Sequence, residues 1–337
     1  MVLKNYRTLT QTQVWDGTSQ TITTNLPRDF LIQRIILDVN NPSIACTGTS
    51  VLVQDPFLKC IDNIKITAVG EGSSREIFSV SGKDLYAMNM FDYGSSPQDL
   101  TVVSTTTAGI THTGFVIDFR TNRLDPDDMS TALPSYLLST LQLSITYLVP
   151  SATTWGTNFP TTLGTTTTTI SLIEGIPEAN EDFSSNPLLT TLTKTLTGDT
   201  TTGTDETFDT FFQVGALIKR AFLCTETSAG VRSDTEIDTF TVNSGTIPLM
   251  SKIQFRANKC NDIVNYRIAE DASGNYTSLG YTMISFANNR MPFVNAGGSL
   301  RIGGLSTVGY TTSDLPILIN KNNASSIIRR IQETIES

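Results

Sequence analysis

Histidine occurs once in this sequence, as His112 in "ITHTGF". Any Ser-His or Cys-His nucleophilic mechanism, or a histidine-bearing zinc site, would have to use that side chain. It stands among threonines beside a strand-like run with no nucleophile signature, and the pattern GxSxG does not occur. A strand-end histidine without chemistry is the simpler reading. Carboxylates crowd in "DPDD" (Asp125, Asp127, Asp128) and "ETFD" (Glu206, Asp209). Glycoside hydrolysis needs one carboxyl on each side of a bond at a fixed separation, which spacing along a chain does not establish. "LDPDDMS" has the oxygen density of a calcium loop but not the EF-hand pattern, and reads as helix capping or loop solvation. "GGSLRIGG" (297–304) lacks the P-loop lysine and a following helix, so it reads as a turn between strands. The four cysteines, Cys46, Cys60, Cys224 and Cys260, form no CxxC pair and read as reduced, mostly buried thiols. "NYT" (275–277) and "NAS" (323–325) match the glycosylation pattern by chance in polar loops. No catalytic residue, metal ligand or cofactor-binding residue is assigned, and no cofactor is expected.

Charge excludes further classes. The net charge is −9, and residues 151–210 hold eight acids (Glu174, Glu178, Glu181, Asp182, Asp199, Asp205, Glu206, Asp209) against one base, Lys194. That segment carries −7 of the total, so the rest is close to neutral. Direct binding of nucleic acid needs a basic stripe, and no stretch supplies one. No apolar run reaches the roughly 20 residues of a membrane-spanning helix, and "MVLKNYRTLTQTQ" lacks the apolar stretch of a signal peptide. These features predict a soluble chain made in the cytosol.

The elements that must position any site are mostly strands. Of 337 residues 39% are hydrophobic and 16% charged, and roughly fifty are threonines, which suit a half-buried pleated surface. Short β-branched and aromatic runs bounded by turn residues predict strands at 30–39, 63–69, 75–81, 114–120 and 141–149. The same texture returns at 216–224, 236–242, 250–256, 281–287 and 314–320. Helical pieces are expected at 82–93, at 127–139 (interrupted by Pro134) and at 324–337. In the last, Ile328, Ile331 and Ile335 form an apolar stripe with Arg329, Arg330, Glu333 and Glu336 outside it, predicting a docked amphipathic helix.

An internal repeat organises these elements. "LIQRIIL" (Leu31 to Leu37) lies over "LIKRAFL" (Leu217 to Leu223), and "NIKITAVGEG" (63–72) over "EIDTFTVNSG" (236–245). Each is followed by another strand, "REIFSVS" or "MSKIQFR", and by a short helical stretch, "GKDLYAMNM" or "ANKCNDIVN". The offset changes from 186 to 173 because the first half carries a longer loop. Two β domains of one fold follow: residues 1–165, then an acidic connection at 166–190 that includes the threonine run, then 191–337. Long polar connections, with few tight Asn-Gly or Asp-Gly turns, favour jelly rolls over meanders. The expected class is all-β, two tandem jelly-roll sandwiches with a few short helices.

The stretches "RDFLIQRIILDVN", "DNIKITAVGEGSSREIFSVSGKDL" and "VGALIKRAFLCTETSAGVRSDTEIDTFTV" resemble the double jelly-roll major capsid proteins of tailless icosahedral viruses with an internal membrane, the adenovirus hexon lineage. The likeness spans roughly Thr8 to Asn320 as a pattern of elements. Its sharpest pieces are "LIKR" leading into "SAGVRSDTEID", and "FVIDFRTNRLDPDDMSTALP".

The resemblance implies a structural, non-enzymatic protein of the virion, made in the host cytoplasm, whose homotrimers form pseudo-hexameric capsomers that tile an icosahedral shell. Its partners would be copies of itself, other capsid proteins and an internal lipid membrane, with no direct nucleic acid contact. Chain termini lie at the base in that family, which makes Lys4, Arg7, Arg329 and Arg330 candidates to face anionic lipid; solvated or internally paired side chains are the alternative. A different function class, a tandem β-sandwich binding protein for carbohydrate or a receptor, would want an aromatic platform. Trp15 and Trp155 are the only tryptophans.

Overall fold

A computed structural model describes residues 3–15, 18–70, 72–94, 100–123, 125–161, 163–178, 182–184, 186–196, 205–208, 217–244, 247–266, 278–285 and 317–336. The chain divides into two compact units, Met1–Arg120 with Met129–Asn186, and Thr121–Asp128 with Pro187–Ser337.

The first unit contains β1 (Leu3–Trp15), β2 (Gln20–Asn25), β3 (Leu31–Ile44), β4 (Ile61–Gly70), β5 (Ser73–Val80), α1 (Gly82–Tyr93), β6 (Gly109–Asp118), the two-residue β7 (Leu133–Pro134), β8 (Thr140–Tyr147) and β9 (Gly164–Ile176). Its strands form two antiparallel sheets in the orders β1-β9-β3-β6 and β2-β8-β4-β5, with β7 beside β3. The second unit contains β10 (Leu188–Leu196), β11 (Asp205–Phe208), β12 (Leu217–Glu226), β13 (Ile237–Ser244), β14 (Ile247–Gln254), α2 (Phe255–Tyr266), β15 (Tyr281–Ser285), β16 (Ile317–Lys321) and β17 (Ile327–Glu336). Its sheets run β10-β17-β12-β15 and β11-β16-β13-β14.

Counting the eight strands of each unit among the described residues in chain order, with the two-residue β7 left aside, both units read 1-8-3-6 in one sheet and 2-7-4-5 in the other. That is the doubled Greek key of a jelly roll, and the chain is an all-β protein of two tandem jelly rolls with few helices. The repeat seen in sequence is the structural one: "LIQRIIL" and "LIKRAFL" start the third strands, β3 and β12, and "NIKITAV" and "EIDTFTV" are the fourth, β4 and β13. Even a defect is shared. The ladder to the eighth strand slips between Ile32 and Arg34 in β3, and between Ile218 and Arg220 in β12, so each third strand carries a bulge at the same place.

Alternation builds the cores. Ile64, Ile66 and Ala68 of β4 and Leu141, Leu143 and Ile145 of β8 are buried while their neighbours are not, as a period of two demands. In the second unit Ile218, Ala221, Leu223, Phe240, Val242, Ile317, Ile319 and Ile328 pack into one cluster.

Three expectations change. The last segment is the strand β17, not an amphipathic helix; it lies between β10 and β12 and is buried along nearly its whole length, so both of its faces need partners. The threonine run, expected in the connection, forms the first part of β9 after Gly164, a central strand paired with β1 and β3. The helix expected at 127–139 is a single 3-10 turn, Ser135–Leu137, after β7. The two units exchange sequence between Asn186 and Pro187 and again around Thr121–Asp128.

Candidate functional site

The motifs that stand out most in the sequence meet at one carboxylate of the second unit. "LIKR" puts Lys219 and Arg220 at the β12 bulge, and the register sets Arg220 opposite Glu333 of β17. Arg220 makes a two-pronged contact, Nε to Oε2 at 2.7 Å and Nη2 to Oε1 at 2.6 Å, the geometry in which guanidinium and carboxylate bind best. Arg123 of "RTNRLDPDD" adds Nη2 to Oε1 at 2.7 Å, and the Lys219 ammonium lies 3.4 Å from Oε2. Glu333 has no exposure. Burial would raise its carboxyl, but the attraction of Arg123, then Arg220 and Lys219, outweighs that and holds it well below the usual carboxylate range.

The "DPDD" carboxylates shape the loop that presents Arg123. Asp128 accepts from the Thr121 hydroxyl (3.0 Å) and the Asn122 N–H (2.7 Å), and Asp125 from the Asp127 N–H (2.9 Å). Among the described residues no group of three His, Cys, Asp or Glu side chains is placed to hold a metal ion.

"SAGVRSDTEID" organises the β12–β13 connection. Asp234 accepts from the Gly280 N–H (2.6 Å) and from Lys259 of α2 (2.6 and 2.7 Å). Gly280 has a φ of +76°, and a Cβ there would sit 2.6 Å from the Thr225 carbonyl, so glycine is required. Glu236 accepts from Asn323 (2.9 Å) and Ser326, fixing the turn into β17 and engaging the amide of the "NAS" site. Beside this connection lies a concavity of about 440 Å³ lined by Arg232, Asp234, Arg256, Lys259, Cys260 and Leu279 among others.

The basic residues expected at the termini are largely engaged within the chain. Arg7 on β1 pairs with Asp29 at 2.6 Å and lies 3.4 Å from Glu174; Lys4 is half-buried on the same strand. Arg329 is buried and donates twice to Glu226, both at 3.0 Å. Arg330 is 2% exposed, and desolvation pulls it down to about 9. Arg329 and Arg330 therefore lie inside the second unit, on a strand whose two faces are both covered. His112 is half-buried on β6 opposite Asn40, with its backbone bridged to Thr101. Trp155 is fully buried and meets Phe57 edge-on, with centroids 6.0 Å apart, so it offers no exposed platform. Three of the cysteines are buried and Cys260 is exposed. Asp209, "NYT", "GGSLRIGG" and the side chains of Trp15 and Glu206 fall outside the described residues.

Sequence patterns give no sign of how the two helices close the sheet edges. β6 and β15 each end a sheet, exposing backbone groups on one side. In α1, capped by Ser81 and by Gly94 at φ +71°, Asn89 donates to the Val116 carbonyl and accepts the Val116 N–H, both at 2.8 Å. In α2, Asn258 donates to the Met283 carbonyl at 3.0 Å, while Asp262 accepts the Met283 N–H at 3.0 Å and the Thr282 hydroxyl at 2.6 Å. Both helices have twelve residues, and Asn89 and Asp262 are the eighth of each. Register makes their targets equivalent too: Val116 faces Ile36 and Met283 faces Phe222, the sixth residues of "LIQRIIL" and "LIKRAFL".

No protein-family model and no curated protein sequence matches the chain. Solved structures do match in fold. The MCP of STIV superposes with a TM-score of 0.70 at 15% identity, covering 99% of this chain and 97% of that one. The PBCV-1 virus capsid gives 0.59 at 11%, covering 99% and 94%. The major capsid protein P2 of bacteriophage PM2 gives 0.55 at 12%, covering 99% and 97%. At these identities the likeness is one of fold, and it runs through both jelly rolls.

Proposed function

We propose that this chain is a structural major capsid protein whose copies build an icosahedral viral shell. The observation that carries the reading is the complete duplication of one jelly roll, strand for strand, in a chain matched over 99% of its length by capsid subunits. Two like domains per chain suit a tiling role. Three chains around a three-fold axis present six similar sandwiches, which gives a pseudo-hexameric capsomer that packs against its neighbours on all sides. The role is non-enzymatic, and the charged side chains described above serve the fold.

The partners in this reading are copies of the same chain within the virion, then other capsid proteins and an internal lipid membrane. For lipid contact it leaves Lys4 and Arg7 of β1 as candidates, since Arg329 and Arg330 are buried. Native mass spectrometry of the purified protein tests the oligomer: three copies of the 36.7 kDa chain give a species near 110 kDa. A strictly monomeric protein at micromolar concentration would instead favour tandem binding domains, with glycan screening as the next step.

A further inference from the structure

The two helix contacts are equivalent in place but not in chemistry. Asn89 cannot titrate. Asp262 can, and it is 1% exposed, with one oxygen, Oδ2, accepting from both Thr282 and Met283. We propose that α2 is held on the edge strand β15 by a proton-dependent latch at Asp262, a pH-responsive device that the first unit lacks.

With the proton on its other oxygen, Asp262 keeps Oδ2 as the acceptor for both donors and stays neutral in its buried place. Ionised, it must hold a charge there. Lys259, on the same helix, is the charge that draws on it, but Lys259 is already held by both oxygens of Asp234. Among the described residues the surrounding elements offer little else. β15 contributes Thr282, Met283 and the buried Tyr281 against which Arg232 lies. Asp238 of β13, Lys252 of β14 and Arg256 of α2 are exposed. Burial outweighs the two hydrogen bonds and Lys259, and accordingly raises the Asp262 carboxyl to about 7. The folded state thus retains a proton that an opened α2 releases, and the latch weakens as pH rises from the ordinary aspartate range toward 7.

The latch rests on the fold alone and does not need the capsid reading. Hydrogen–deuterium exchange on the purified full-length protein at pH 5, 6, 7 and 8, corrected for the intrinsic pH dependence of exchange, reads both helix contacts in one sample. Protection of the β15 amides around Met283 is expected to fall about tenfold per pH unit between roughly 5 and 7 and then level off, while the β6 amides around Val116 show no such slope. Asp262→Asn should flatten the β15 profile, and Asn89→Asp should import the slope into β6. Equal profiles for β6 and β15 in the wild-type protein, or a slope that persists in Asp262→Asn, would overturn the proposal. The wild-type comparison decides even if a variant does not fold.

Discussion

Arg123 Nη2 lies 2.7 Å from Glu333 Oε1, across 210 positions of sequence. With Arg220 and Lys219 on the same carboxylate, it makes Glu333 an anion on which three cations of the second unit converge. Such a group is costly to bury and costlier to break, because losing one partner leaves charge stranded without solvent.

Glu333→Gln keeps the size and removes the charge. It is expected to destabilise the second unit by about 3–5 kcal/mol, read as a lower urea midpoint. Arg123→Ala, which leaves the two-pronged Arg220 contact in place, should cost less.

The same carboxylate sets an acid limit. Unfolded, Glu333 titrates near its ordinary 4.5; folded, it titrates well below that. The unfolded chain takes up the proton first, so the stability from Glu333 is complete above about pH 5 and is lost as pH falls through its depressed folded value. Melting temperature between pH 3 and 6 should fall more steeply toward acid in the wild type than in Glu333→Gln.

Asn89→Leu would remove both contacts to the β6 edge and leave the Val116 N–H and carbonyl without them. Two hydrogen bonds with their desolvation amount to about 2–4 kcal/mol. The variant should show faster exchange of the β6 amides, with those of β15 unchanged.

Gly156 tests the first unit's loops. Its φ is +136°, and a Cβ would sit 2.1 Å from the Val51 carbonyl. Gly156→Ala must displace the segment next to Trp155, at a cost of about 1–3 kcal/mol. A red-shifted tryptophan emission and a lower melting temperature are expected.

Much of this fold is written locally. The third strands share one order of residue types, two apolar, two polar and three apolar, so Leu31–Leu37 and Leu217–Leu223 align on residue types alone. The helix equivalence is visible in the sequence but slides by two residues: the offset of 173 that joins 63–69 to 236–242 also joins Gly82 to Phe255, whereas "ANKCNDIVN" starts at Ala257. What is hidden depends on distant partners. Ile328, Ile331 and Ile335 have helical spacing, and nothing local says that Arg329, Arg330 and Glu333 will be buried between β10 and β12. The threonine run carries no aliphatic alternation before Ile170, so its role as the strand between β1 and β3 shows only once those neighbours are in place. The Glu333 cluster joins residues 113 and 210 positions apart, a distance that no motif spans.

Electron cryomicroscopy of particles assembled from the purified chain, or of the particles from which it is released, tests the capsid role most directly. Closed icosahedral shells are expected, with capsomers of hexagonal outline and six sandwich densities, two from each of three chains. Well-folded protein that forms no closed shell, with single chains on the grid at all concentrations, would contradict that role.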